Sequence, residues 1–130
     1  MAAAVADGYF DAGFTVVLED VVAGQLLGEM RTMIRHRPCH VIVLVPSSEA
    51  IAGREAGRDR KGYGVWNVKR LRDGFVNETP RVGIWLDTSE LTPQETVDAI
   101  VERSAAHTVS SQSEIVVADY DPEWPTLLSR

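Results

Sequence analysis

The sequence predicts an α/β chain with about three parallel strands and flanking helices. Three observations carry that expectation. Short, continuous apolar runs rich in β-branched and aromatic residues occur at Phe14–Leu18 (FTVVL), Val41–Val45 (VIVLV) and Val82–Leu86 (VGIWL), as in strands covered on both faces. The segments between them carry apolar residues at helical spacing. Strand and helix therefore alternate, the order of a parallel sheet with right-handed crossovers.

In chain order, residues 1–12 supply a short leading helix, and FTVVL follows as the first strand, ending at Glu19-Asp20. Leu26, Leu27, Met30, Met33 and Ile34 then form the apolar stripe of a helix of about 12 residues. VIVLV is the second strand and ends at Pro46-Ser47-Ser48. A basic segment follows, Arg54-Glu-Ala-Gly-Arg58-Asp-Arg60-Lys61-Gly-Tyr63, with four cations in eight residues and glycines among them. Val65, Val68, Leu71, Phe75 and Val76 mark the next helix, and VGIWL the third strand, ending at Asp87-Thr88-Ser89. The clearest helix start is Thr92-Pro93-Gln94-Glu95: Thr92 caps, Pro93 suits the first helical position, and Glu95 closes a capping box. Val97, Ile100 and Val101 are its expected inner stripe. After Ala106 the periodicity fails, and Thr108–Glu114 reads as a polar, serine-rich linker.

Composition narrows the function classes. A chain of 130 residues makes one domain at most. The net charge of −6 speaks against a nucleic-acid binder that relies on general electrostatic attraction, so the basic segment is a local exception on an acidic body. No apolar run approaches the roughly 20 residues of a membrane span, and the first residues lack the features of a secretory signal. One cysteine, Cys39, allows no internal disulfide. A cytoplasmic protein without nucleic-acid or membrane partners is the expectation.

Open parallel sheets bind ligands beyond the carboxyl ends of their strands. The residues placed there are the ones to weigh. Asp20 suits Mg²⁺, a hard cation that takes oxygen ligands, or equally the capping of a helix after a strand. Arg54, Arg58 and Arg60 suit charge neutralisation on a transferring phosphoryl group, because a guanidinium grips phosphate oxygens with paired hydrogen bonds. The alternative is a solvated helix face in which Glu49, Glu55 and Asp59 pair with them; four residues apart, Arg54 and Arg58 would share one side of a helix. Asp87 and Thr88 suit a capped turn better than a nucleotide contact. His36, Cys39 and His40 lack a fourth ligand of suitable spacing for zinc, and Ser47 and Ser48 do not form a nucleophile elbow. Trp66, Trp85 and Phe75 read as packing residues rather than a stacking platform.

From about Ala6 to Ala106 the chain resembles the C-terminal two-thirds of a P-loop phosphotransferase of the chloramphenicol phosphotransferase-like group. The matching pieces are Ala12-Gly-Phe-Thr-Val-Val-Leu-Glu-Asp20, the His40–Pro46 strand, Arg54-Glu55 with Arg58, and Val82-Gly-Ile-Trp-Leu-Asp-Thr-Ser89. The resemblance implies an incomplete P-loop kinase-like three-layer fold, and a parent parallel-sheet kinase that uses ATP and Mg²⁺ to phosphorylate a small-molecule hydroxyl. It implies catalytic roles for Asp20, Arg54 and Arg58, with Asp20 beside the metal. Arg54, Arg58, Arg60, Asp87 and Thr88 would contact the nucleotide. One departure is decisive: no G-x-x-x-x-G-K-[ST] loop occurs in the 130 residues, so the backbone cradle and lysine that hold the phosphates are missing. In the family's strand order the missing strand lies between those matching 14–18 and 41–45, which leaves two apolar edges to pair directly, to recruit another chain or to aggregate.

Ile115-Val-Val-Ala-Asp-Tyr120-Asp-Pro-Glu-Trp124-Pro125 resembles the opening of the GrpB family. The expected organisation is a partial phosphotransferase-like domain at 1–107, a linker at 108–114 and a GrpB-like tail at 115–130. The expected function is that of a fragment or remnant of an ATP-dependent small-molecule kinase, inactive alone. The alternative is a non-catalytic binding or assembly module that self-associates through its sheet edge.

Overall fold

The computed structural model describes residues 2–58 and 67–110, with side chains to residue 106. Arg60, Lys61, Val65, Trp66, the 111–114 part of the expected linker and the GrpB-like string lie outside the described residues. The elements run α1 (Ala2–Asp11), α2 (Leu26–Met33), β1 (Ile42–Leu44), α3 (Ser48–Ala56), α4 (Val68–Glu78), β2 (Ile84–Leu86) and α5 (Pro93–Ser110). This is a mixed α/β arrangement, with the two strands paired in parallel and Ile42, Val43 and Leu44 opposite Ile84, Trp85 and Leu86. The ladder extends past the strands, because Ile84 N–H donates to Val41 O (2.8 Å) and Val45 N–H to Leu86 O (2.9 Å).

Local chemistry accounts for the helix ends. Ser47 Oγ accepts from Ala50 N–H (3.1 Å) and starts α3, while Asn67 Oδ1 accepts from Arg70 N–H (3.0 Å) and starts α4. At α5 the expected capping box is formed. Glu95 N–H donates to Thr92 Oγ1 (3.2 Å), and Thr92 N–H donates to Glu95 Oε2 (2.7 Å). That second bond, from the Thr92 backbone, leads in holding the Glu95 carboxyl below its ordinary range; the Thr92 hydroxyl adds to it, and burial opposes both.

The core is small. Val43, Val45 and Val76 are buried together, with Leu27, Val41, Phe75 and Trp85 packed around them. Trp85 lies 5.9 Å from Phe75, centroid to centroid, and the Arg81 guanidinium sits 3.9 Å above its ring. One glycine is indispensable to the strand pair. Gly83 has φ +81, and a Cβ there would lie 2.3 Å from Val41 O and 2.6 Å from Val41 Cβ. Only a residue without a side chain lets β2 approach β1 so closely.

Several expectations are corrected. The first strand does not form: residues 14–23 carry no regular structure, and Val17 and Val21 are 90% and 92% exposed. A strand persists only when a neighbour takes up its backbone N–H and C=O groups, and among the described residues the sheet has two strands, leaving the outer edge of β1 open. Among the described residues two strands are formed, then, and not three.

The helix expected over about 12 residues is the eight-residue α2, because the Arg35 N–H is taken by the Asp7 carboxylate (3.1 Å) instead of a helical carbonyl. On α4 the inward position next to Val76 belongs to Arg72, and Leu71 is exposed. On α5 the expected inner stripe is only partly covered: Ile100 is half-buried, while Val97 and Val101 are exposed. This helix also runs on to Ser110, three residues into the expected linker.

Candidate functional site

The carboxyl ends of β1 and β2 lie side by side because the pair is parallel and in register. The turns that leave them are tied together. Ser47 N–H, after β1, donates to Ser89 Oγ, after β2, at 2.7 Å. Ser89 in turn donates its hydroxyl to Asp87 Oδ1, which also accepts the Ser89 N–H (2.9 Å). Asp87 therefore shapes a hydroxyl-bearing turn, as its capped-turn reading implies.

Arg54, near the end of α3, reaches across to the same turn. Its Nη2 donates to Thr88 O and Leu91 O (3.4 Å), and its Nη1 to Thr88 Oγ1 (3.4 Å). Thr88 is buried beneath it. Two of the residues singled out from sequence, on separate elements, thus meet at the strand-end rim. Much of the guanidinium's hydrogen-bonding capacity is already committed to turn carbonyls, so an anion arriving here competes with the fold for Arg54.

Arg72 completes the rim and was not anticipated. Its Nε donates to Pro46 O (2.6 Å), and its side chain is 9% exposed. The signal was present in the spacing, since Val68, Arg72 and Val76 fall four apart on one helix face. Glu49, in the first turn of α3, has its carboxyl held below the ordinary range, led by its own backbone N–H, then by the Ser48 hydroxyl. Burial opposes these, while the Ser47 hydroxyl and the Arg72 charge reinforce them.

Among the described residues, Arg58 and Asp20 make other contacts. Arg58 lies past the Gly57 cap of α3, donates its N–H to Glu55 O (3.1 Å) and pairs with Glu55 Oε2 (3.5 Å). Helix α3 ends before Arg58, so it does not share a helix face with Arg54. Asp20 lies in the irregular segment, ends no strand and caps no helix; its Oδ1 accepts the N–H of Val21 (2.7 Å). Among the described residues no group of three or more His, Cys, Asp and Glu side chains is suited to a metal ion. Asp20 belongs to no such group.

Two further features lie away from the rim. A broad, open depression of about 1050 Å³ runs along α4, lined by Asn67, Arg70, Leu71, Gly74, Phe75 and Glu78 among others; none of the candidates among the described residues lines it. A charged network joins α1 to the exit of α2. The Arg35 guanidinium bridges Asp7 (3.3 Å) and Asp11 (2.8 Å), and His36 Nε2 lies 2.8 Å from Asp11 Oδ1 with its ring stacked on Phe10. Burial pushes the Asp7 carboxyl up, but the backbone N–H groups of Arg35 and His36 and the Arg35 charge outweigh it and leave Asp7 below its ordinary value. Asp11 is lowered mainly by its hydrogen bond from Arg35, against a smaller effect of burial.

Compared with known proteins, the chain matches no family model, and neither a curated relative nor a solved structure of significant similarity was found. No helix among the described residues is long and apolar enough to cross a membrane.

Proposed function

We propose that the strand-end rim is part of a phosphate-recognition surface of phosphotransferase type, and that this chain does not transfer phosphate from ATP on its own. The observation that carries the proposal is the meeting of Arg54 with Thr88 at the carboxyl ends of two parallel strands, where open α/β sheets bind their ligands. Ser47 and Ser89 add hydroxyls at the same place. In this reading the ligand is a nucleotide phosphate, and the acceptor of the parent chemistry is a small-molecule hydroxyl. Catalysis is excluded from the proposal on three grounds: the sequence has no glycine-rich cradle with its lysine, Arg54 is engaged by carbonyls, and Asp20 lies in an irregular segment rather than at a strand end. Binding is accordingly weak, with a Kd in the millimolar range, equivalent to about −4 kcal/mol. Titration of the isotope-labelled chain with ATP, with turnover of ATP, Mg²⁺ and a panel of hydroxylated acceptors followed in parallel, tests both halves of the proposal.

A second reading, an assembly module that self-associates, is favoured by the open edge of β1 and the exposed Phe14, Val17, Leu18 and Val21. Light scattering coupled to size exclusion is expected to give a mass that rises with concentration, and Val17→Lys to return the chain to a monomer with unchanged circular dichroism. A parent chain that stays monomeric at every concentration removes this reading.

A further inference from the structure

We draw no further inference here: the strongest candidate, the unpaired outer edge of β1 together with the exposed apolar segment 14–22, belongs to the assembly reading already given, and nothing in the structure shows what covers it.

Discussion

Replacing Gly83 by alanine strikes the strand pair where it is tightest. The backbone there sits at φ +81, which an L-residue adopts at a cost of about 1–2 kcal/mol. The new methyl would also lie 2.3 Å from Val41 O and 2.6 Å from Val41 Cβ, and these belong to the start of the neighbouring strand rather than to a flexible side-chain end. Relief requires β1 and β2 to part, which stretches the 2.8 Å bond from Ile84 N–H to Val41 O, worth about 1 kcal/mol, and adds overpacking strain of about 1–3 kcal/mol. The sum is roughly 4 kcal/mol, a large share of the 5–15 kcal/mol that holds an ordinary domain together. In urea unfolding followed by circular dichroism, at an m value of about 1.5 kcal/mol/M, the midpoint should fall by roughly 2–3 M, or the variant should be unfolded without denaturant. Gly74→Ala is the control: it lies inside α4 with open space around the added methyl, and is expected to be neutral or stabilising by up to about 1 kcal/mol. A Gly83→Ala midpoint within about 0.5 M of the parent would refute the reasoning, because close approach at Val41 would then not govern the pairing.

Three other predictions concern the start of α5 and the charge network. Thr92→Ala removes the cap of α5 and should cost about 1 kcal/mol, read as a lower urea midpoint. The Glu95 carboxyl is depressed in the folded chain, so its contribution is full above its ordinary value of 4.5 and is lost as pH falls through the folded value; Glu95→Gln should remove that part of the pH dependence. Asp7 and Asp11 carry the same sign. The hold of α1 on the α2 exit is present above the ordinary value of 3.8 and lost in stronger acid, so amide exchange in residues 2–11 should accelerate there before exchange in β1 and β2 does. Uniform acceleration across the chain would contradict this.

The strands β1 and β2 and the start of α5 were legible because each carries a local signal: a β-branched run in two cases, a capping box in the third. FTVVL has the same local signature but forms no strand, since a strand also depends on a neighbour that its own sequence does not specify. A similar non-local cause shortened α2, where the carboxylate of Asp7, 28 residues away, takes the Arg35 N–H. At the site, the rim could be placed from topology, which names Thr88, while Arg54 stands out in the run of cations. Their partnership was not visible, because it depends on how far α3 extends before Gly57 ends it. The same helix end separates Arg58 from Arg54. Arg72 was passed over because a cation on an apolar stripe reads as an interruption until a carbonyl, here Pro46 O, is found to receive it.

The central claim, weak phosphate recognition without catalysis at the ends of β1 and β2, is tested most directly by adding ATP to the isotope-labelled chain and recording amide shifts. The account predicts shifts centred on Ser47, Ser48, Arg54 and the Thr88–Leu91 turn, saturating in the millimolar range, at about −4 kcal/mol, with no product formed from any hydroxylated acceptor. Unmoved rim amides, or turnover above buffer, would contradict it.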